Sequence, residues 1–345
     1  MRPFACAFVT AAAILLGTTS LSAQQPTIVH GQTTTESVDH GLAAALDSVR
    51  GKDGATWVGY SIPVVSKFSS GWNSSHVEYL EGNNGDTEGD HSQENSRSSD
   101  HAVILLRIAD KVVMKLRVES PERDLDAGGL RFVWLNGVNP DDSVRVLTDL
   151  ARQGDARHLR DSAVFAISIH QTNAATTALE GLTGASNDLG LREKAAFWLA
   201  SQRGHDGLTA IQRLAREDGD PKFREKLAFD FTLSKDPDAL NELIRMAHED
   251  ASPQVRKQAQ FWMATKGGKK VTDDLRTIAT NDPNDQIRKS AVFALSRLPG
   301  DDAATQLIAV ADSSKDPVVR RQAIFWLGQS NDPRALDYLT KLLKQ

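Results

Sequence analysis

The histidines and carboxylates of this 345-residue chain are the side chains best suited to hold a metal or to move protons. The nine histidines have neither the H-x-x-x-H nor the H-E-x-x-H spacing that puts two metal ligands on one helix face. Only His248 is followed directly by a glutamate, Glu249. The sequence therefore predicts no metal site, and no pattern in it implies a cofactor.

Residues 82–100 begin with residues spaced like the start of a calcium-binding loop, as in Asn84, Asp86 and Asp90. The twelfth position of such a loop is Asn95 here, and an amide cannot supply the bidentate carboxylate that calcium needs there. The segment contains no apolar residue, so we expect a mobile, solvated loop and no calcium site.

Motifs for covalent or phosphate chemistry are absent from the sequence, which has no G-x-S-x-G, no P-loop and no G-x-G-x-x-G. The two glycines of LDAGGL, residues 125–130, lack the spacing of a phosphate loop. The single cysteine is Cys6, so the chain after it has no thiol nucleophile and no disulfide. We therefore predict no catalytic residues and favour a protein that is not an enzyme.

Residues 1–23 have the composition of an export signal. Arg2 supplies the positive charge, AFVTAAAILLG supplies the apolar stretch, and LSA before Gln24 ends in a small residue. We predict an exported protein, periplasmic or extracellular, without stable membrane insertion once this signal is removed; a retained anchor is the alternative. The net charge of −5, which becomes −6 without Arg2, argues against nucleic acid as a partner.

The elements that would position any functional side chain follow a 32-residue repeat. An arginine, here called the head Arg, marks each repeat, and a phenylalanine follows it five residues later. Apolar residues stand one position before and three and seven positions after the head Arg, which is the spacing of one helix face. Six copies without an insertion predict six equivalent units. The head arginines are Arg160, Arg192, Arg224, Arg256, Arg288 and Arg320.

Each repeat is predicted to contain two helices. The second helix has its apolar residues 19 and 22 positions after the head Arg. One helix pair cannot bury its apolar side alone, so the pairs are expected to stack into an α-solenoid. The first helix has a predicted N-cap at one repeat position, with a proline after three of the five caps: Asp188, Asp220, Ser252, Asn284 and Asp316.

The repeat resembles a HEAT repeat, in the short variety similar to the repeats of phycobilin lyases. The resemblance is carried by the V-R-x-x-A openings at 255–259 and 319–323 and by the second-helix sequence D-P-R-A-L at 332–336. It covers residues 158–345, although the proline that longer HEAT repeats often carry within the first helix is missing. The resemblance implies a mainly α fold, an armadillo/HEAT-like superhelix of about six repeats. HEAT-type hydroxylases with a di-iron centre use several His-Glu pairs, and this chain has one.

A small α+β domain, residues 24–138, is predicted in front of the repeats. Residues 139–157 are predicted to be a degenerate capping half-repeat, whose helix at 140–152 is in register with the second helices. The predicted elements of the domain are a loose segment at 24–35, a helix at 36–51, strands at 55–65 and 130–138, and a β-hairpin built from 101–108 and 112–119.

Two series of solvent-facing side chains are candidates for binding a partner. In HEAT-like stacks the second helices line the concave side, and their exposed positions give a basic series here called the Arg stripe. We predict that the Arg stripe forms a groove for an acidic partner peptide. In the alternative, these cations only pair with nearby Glu242, Asp273 and Asp274. The Arg stripe consists of Arg213, Arg216, Arg245, His248 and Arg276.

The second series is the Phe row, with one phenylalanine from each repeat. At 3.6 residues per turn, its position lies about 170° from the mean direction of the core positions, close to the opposite side of the first helix. We predict a ladder on the convex side that docks a partner or a second copy of the chain. In the alternative, each Phe packs against the neighbouring helix, beside Trp198, Trp262 and Trp326. The Phe row consists of Phe165, Phe197, Phe229, Phe261, Phe293 and Phe325.

Together these observations predict an exported HEAT-repeat scaffold that binds another protein or peptide in the cell envelope, because curved repeat surfaces suit that use. The alternative is a lyase-like or other enzyme with a site where the N-terminal domain meets the first repeats. An enzyme needs converging polar groups in a pocket, whereas a scaffold needs only a complementary surface.

Overall fold

The computed structural model describes residues 25–69, 77–81, 98–153, 157–299 and 302–344. In these residues an N-terminal α+β part precedes a long series of helix pairs. The predicted signal at 1–23 and residues 82–97 of the acidic segment lie outside the described residues, so the expectations for them stay predictions.

The N-terminal part is built on a five-stranded sheet with the strand order β1-β7-β2-β4-β5, and β3 and β6 pair separately. β7 runs parallel to both β1 and β2, whereas β4 runs antiparallel to β2 and β5. The described strands are β1 (Gln32–Ser37), β2 (Thr56–Phe68), β3 (Val77–Tyr79), β4 (Ser99–Ala109), β5 (Val112–Glu119), β6 (Asp124–Asp126) and β7 (Arg131–Asn136).

The β-hairpin prediction is confirmed by β4 and β5, whose turn residues Asp110 and Lys111 have φ angles of 51° and 67°. The helix prediction over 36–51 is wrong at its start, because the helix, α1 (Leu42–Arg50), begins six residues later. Residues 32–37 are instead the edge strand β1. Their threonines suit a strand, but their parallel partner β7 lies about a hundred residues away and leaves no local signal.

The helix pairs of all six repeats are present, so the predicted mainly α, solenoid fold class is confirmed. The helix α2 (Pro140–Gln153) precedes them, close to the predicted 140–152. The first helices are α3 (Arg157–Ile169), α5 (Leu189–Gln202), α7 (Pro221–Leu233), α9 (Pro253–Gly267), α11 (Asp285–Ser296) and α13 (Pro317–Gly328). The second helices are α4 (Asn173–Leu182), α6 (Gly204–Glu217), α8 (Asp238–Glu249), α10 (Thr272–Asn281), α12 (Asp302–Ser313) and α14 (Pro333–Leu342).

The predicted caps explain where the first helices begin. Asp188, Asp220, Asn284 and Asp316 each accept a hydrogen bond from a backbone N–H in the first turn of the helix that follows. Ser252 occupies the N-cap of α9 but makes no such side-chain bond, so Pro253 alone marks that start.

The head arginines form a ladder of ion pairs that links consecutive repeats. The Nε and Nη2 atoms of Arg224 donate to the Asp250 carboxylate at 2.9 Å each, and Nη1 donates to the Asp218 carbonyl of the preceding repeat at 2.7 Å. These bonds join one repeat to the next at the end of its second helix. Equivalent ion pairs join Arg192 to Asp218 and Arg256 to Asp282, whereas Arg288 pairs with Asp316, the N-cap of the next first helix.

Candidate functional site

The spacing of the helices decides which side of the stack is concave. Consecutive first helices contact one another along their length, whereas consecutive second helices in the middle of the stack touch at few residues. Close approach is possible because the residue three positions after the head Arg is a fully buried alanine in five of the six repeats. The more closely spaced helices lie on the inside of a bend, so this packing favours first helices on the concave side.

This packing argument points to the reverse of the arrangement expected from the sequence, and the concave and convex assignments of both series stay predictions. We call the side of the closely packed first helices, which carries the Phe row, the inner side, and the side of the second helices, which carries the Arg stripe, the outer side. The sequence pattern identifies the buried side of each helix, but the distance between neighbouring helices depends on how all the side chains pack together. The binding roles of both series stay predictions.

The cations of the Arg stripe are held in ion pairs with side chains of the protein itself. Arg216 and Arg245 both contact the Glu242 carboxylate at 2.6 Å, and Glu242 is only 2% exposed. Arg213 contacts Glu180 at 2.6 Å. The pKa of the Arg216 guanidinium is raised by its bond to Glu242, so this guanidinium keeps its charge. The stripe thus presents compensated charge to solvent.

The remaining two side chains of the stripe also contact carboxylates. His248 Nε2 lies 3.3 Å from an Asp274 carboxylate oxygen, and Arg276 lies 2.5 Å from Asp273. These are two of the acidic residues that the alternative interpretation names. An acidic partner would have to displace five internal carboxylate contacts in order to use the stripe.

The Phe row is only partly covered. The first five phenylalanines are half-buried, and Phe325, in the last repeat, is 53% exposed. Each lies beyond the buried core positions of its helix, so part of every ring in the row remains in contact with water. The row is neither a core element nor a set of separate exposed residues.

Three tryptophans join the phenylalanines of neighbouring repeats. Trp198 contacts Phe197 of its own repeat and Phe165 of the preceding repeat, both with ring centroids 4.9 Å apart. Trp262 and Trp326 repeat this arrangement at 4.8–5.0 Å. The tryptophans occur in alternate repeats, so the aromatic pattern has a period of two repeats.

The aromatic contacts continue across one boundary without a tryptophan and into the N-terminal domain. The rings of Phe261 and Phe293 stack with centroids 6.2 Å apart and an angle of 11° between their planes. Phe68, the last residue of β2, lies 6.4 Å from Phe165. Tilted and edge contacts of this kind hold the rings in fixed positions. The inner side therefore presents a pre-organised aromatic surface.

The junction between the N-terminal domain and the first repeat contains a buried polar network. His170 Nδ1 donates to the Ala166 carbonyl at 2.6 Å, which leaves Nε2 to accept a hydrogen bond from Ser143 Oγ at 2.9 Å. Ser143 in turn accepts from the Tyr60 hydroxyl at 2.9 Å. Burial lowers the pKa of His170 to about 4, so its ring is neutral at pH 7.

A hydrogen-bonded serine and histidine are also the parts of a nucleophile and its general base. Here Tyr60, Ser143 and His170 are each 0% exposed, so no substrate reaches the serine. The strand β2 also pairs with the loop after α3, since Gln171 N donates to the Pro63 carbonyl at 3.0 Å. The network therefore fastens the domain to the solenoid.

In the parts of the chain that the structure describes, no three His, Cys, Asp or Glu side chains come together in a way that could hold a metal ion. Within those same parts, no helix combines the length and the apolar character needed to cross a membrane.

One group that the sequence analysis did not single out is the carboxyl of Asp230. It is 0% exposed and neither oxygen has a hydrogen-bond partner among the described residues. Burial raises its pKa to about 8. An alignment of the six repeats makes Asp230 stand out, because the residue after the Phe is Ala or Trp in the other five repeats.

Comparison with known families agrees with this geometry. The sequence profile of the family described as HEAT repeats matches residues 208–296 and 272–345. Residues 208–345 thus consist of HEAT repeats, and residues 158–207 continue the same 32-residue period in front of the matched part. No curated protein sequence matches the chain.

Several solved structures are similar to part of the chain. Human deoxyhypusine hydroxylase in complex with glycerol is 15% identical, with 59% of this chain and 90% of that chain covered and a TM-score of 0.32. Kap121p is 12% identical, with 59% and 27% covered and a TM-score of 0.38. The complex of CpcE and CpcF of phycocyanin lyase from Nostoc sp. PCC7120 is 19% identical, with 56% and 78% covered and a TM-score of 0.30. These similarities are too low to transfer a function.

Proposed function

We propose that the protein is a non-enzymatic scaffold that binds a protein partner through the Phe row and its tryptophans. The observation that carries this proposal is the aromatic surface on the inner side of the first helices, which spans all six repeats and is only half-buried. Rigid aromatic side chains supply much of the binding energy at protein interfaces. The repeated fold supplies the extended surface on which they can act together.

The place of action that we propose is the cell envelope, in the periplasm or outside the cell. Support comes from the signal-like composition of residues 1–23. The Arg stripe alone would favour an acidic partner on the outer side, but its cations already have carboxylate partners. We therefore assign the contact to the aromatic surface.

Affinity capture from a cell-envelope extract tests the proposal. The bait is the full chain, and the test variant carries Phe229→Ser and Phe261→Ser in the middle of the row. We expect the wild type to capture a specific protein and the variant to lose at least 90% of it, because aromatic anchors dominate such contacts. A matched control, Arg213→Glu with Arg276→Glu, changes the outer side and should keep the capture.

The circular dichroism of each variant is compared first, so that loss of capture is not loss of fold. Capture that survives the serine substitutions and disappears with the Arg213 and Arg276 changes would move the site to the Arg stripe. The extracts must come from cells in which the protein is naturally present. If the wild type captures no specific protein from them, the scaffold role is overturned.

A further inference from the structure

Beside the Phe row stands a series of charges whose sign changes in the middle of the solenoid. The residue directly after each head Arg is acidic in the first three repeats and basic in the last three. No helix-forming requirement explains this division, since both signs suit an exposed helix position equally. The series consists of Asp161, Glu193, Glu225, Lys257, Lys289 and Arg321.

These charges lie on the same side of the first helices as the Phe row. Each stands four residues before the Phe of its repeat, and residues four apart are neighbours on a helix surface. Five of the six are half-buried and Arg321 is exposed. Every phenylalanine of the row therefore has a charged side chain one helical turn away, and we call this set the flanking charges.

Most flanking charges lack an ion-pair partner, in contrast to the Arg stripe and most head arginines. In the described ranges, Asp161 contacts Lys194 at 3.2 Å, and Glu225 accepts a hydrogen bond from Gln254 at 3.4 Å. Within those ranges, Glu193 and the three basic members have no ion pair. The head arginines and the Arg stripe are instead paired with carboxylates almost throughout.

Two lysines next to the acidic members modify the charge of the first three repeats. Lys194 pairs with Asp161, and Lys226 Nζ lies 5.9 Å above the ring of Phe229. The last three repeats carry the uncharged Gln258, Ser290 and Gln322 at this next position, and the nearby Asp285, four residues before Lys289, is paired with Arg288 at 2.6 Å. The aromatic surface thus passes from weakly acidic to clearly basic along the stack.

We infer that the inner side binds one extended polypeptide segment in a fixed direction, with its acidic end over the last three repeats and its basic end over the first three. This inference rests on the proposed function and adds the chemistry of the partner. Apolar side chains of the segment contact the Phe row, and its charges meet the flanking charges of opposite sign.

The spacing of the repeats sets the length of the segment. Packed helices lie about 8–10 Å apart, so the centres of the two charged halves are about 25–30 Å apart. An extended chain rises about 3.3 Å per residue, so the two charge clusters of the segment stand about eight or nine residues apart. A short peptide of 16–18 residues, on this estimate, covers the whole surface.

A second copy of the chain is the competing occupant. If two copies faced each other with their repeats in opposite order, the acidic half of each would meet the basic half of the other. Two concave surfaces, however, meet at their rims and leave their middles apart. Only the outermost of these charge pairs would then come into contact. The extended segment can follow the curved surface over its full length, and it is the occupant to which we commit.

Synthetic peptides test this inference with fluorescence anisotropy at two salt concentrations. Two labelled 18-residue peptides carry four lysines at one end, leucines and phenylalanines in the centre and four glutamates at the other, in the two possible chain directions. A third has the same composition with lysine and glutamate alternating. We expect one of the segregated peptides to bind at least tenfold more tightly than the alternating peptide, and high salt to reduce this difference.

Charge variants of the protein test the direction. The double change Lys257→Glu and Lys289→Glu should weaken the preferred peptide at least tenfold. Adding Glu193→Lys and Glu225→Lys should transfer the preference to the peptide of opposite chain direction. The matched control, Arg213→Glu with Arg276→Glu, should leave the affinity unchanged because it alters the outer side.

Equal affinity for all three peptides, or equal affinity of the charge variants, would overturn the inference. A stable dimer of the wild type in sedimentation experiments that dissociates in the Lys257/Lys289 variant would assign the surface to a second copy. If capture from the envelope extract is lost in the Phe-row variant but unchanged in the flanking-charge variants, the proposed function stands and this inference alone is rejected.

Discussion

At the residue scale, the buried carboxyl of Asp230 makes a prediction about the pH dependence of stability. Its pKa is raised from 3.8 to about 8 by burial, and Lys226 lowers it only partly while Glu193 raises it further. Between these two values the folded chain holds one proton more than the unfolded chain. The free energy of unfolding therefore falls as the pH rises from about 4 to about 8.

We expect Asp230→Ala to stabilise the protein at pH 7 by about 1–3 kcal/mol, the usual cost of a buried polar group without a partner. Alanine fits this position, since Ala166 and Ala294 occupy it in two other repeats and are fully buried. Urea denaturation at pH 5 and pH 8 provides the measurement. The variant should lose most of the decrease in stability that the wild type shows between the two pH values.

Asp149→Ala is the matched control, because Asp149 is exposed on α2 and its replacement should change neither the stability nor the pH slope. An Asp230→Ala variant that is less stable than the wild type at both pH values would contradict the account.

At the element scale, the ladder of head arginines predicts that breaking a contact in the middle of the stack lowers the free energy of unfolding more than breaking one at its end. The side chains of Arg224 and Asp250 are 12% and 3% exposed, so Asp250→Ala leaves a largely buried guanidinium without its carboxylate. We expect a loss of roughly 3 kcal/mol in the free energy of unfolding, as for other buried pairs that lose one partner. Urea denaturation at pH 7 measures it.

The exposed Arg320 at the end of the ladder serves as the control, since it donates to the Ser314 carbonyl at 2.8 Å. Arg320→Ala should cost about 1 kcal/mol or less. Equal losses for the two variants would show that the ladder adds nothing beyond single hydrogen bonds.

The contact between the N-terminal domain and the solenoid makes the free energy of unfolding depend on pH in the opposite direction to Asp230. His170 has a folded pKa of about 4 against an ordinary value of 6.5, so in this range the unfolded chain holds the extra proton. Stability that is present above pH 6.5 is lost as the pH falls toward 4. The full effect is on the order of 3 kcal/mol, at about 1.4 kcal/mol for each unit of pKa.

His170→Asn should remove most of this acid dependence and lower the stability at pH 7, because the amide cannot reproduce both hydrogen bonds of the ring. Urea midpoints at pH 7 and pH 4.5, followed by tryptophan fluorescence, test the prediction. A variant whose midpoint falls between these pH values as much as that of the wild type would refute the role of His170.

The elements were predictable from the sequence where a local pattern defines them. Caps and apolar positions fixed the helix pairs, and the alternation around Asp110 and Lys111 fixed the hairpin. The strand β1 was missed because its pairing with β7 is distant in sequence, and the pair β3–β6 because each has three residues. The period predicted the position of the Phe row, but the concave side depends on helix spacing, which no single repeat encodes.

At the scale of the whole molecule, the solenoid arranges weak contributions from six repeats into one surface. The Phe row is joined by tryptophans across the boundaries of alternate repeats and extended by Phe68 from the N-terminal domain. Such a surface is pre-organised, so a partner does not have to pay for its ordering. The buried network at His170 fixes the N-terminal domain at one end of it.

Site-specific photo-crosslinking in living cells tests the central claim, that the inner aromatic side is the partner surface. A photoreactive phenylalanine analogue replaces Phe229 or Phe293 in the row, or Thr209 or Thr277 on the second helices. The account predicts protein adducts from the two positions in the row and none from the two threonine positions. Adducts that form only from the threonine positions would contradict it.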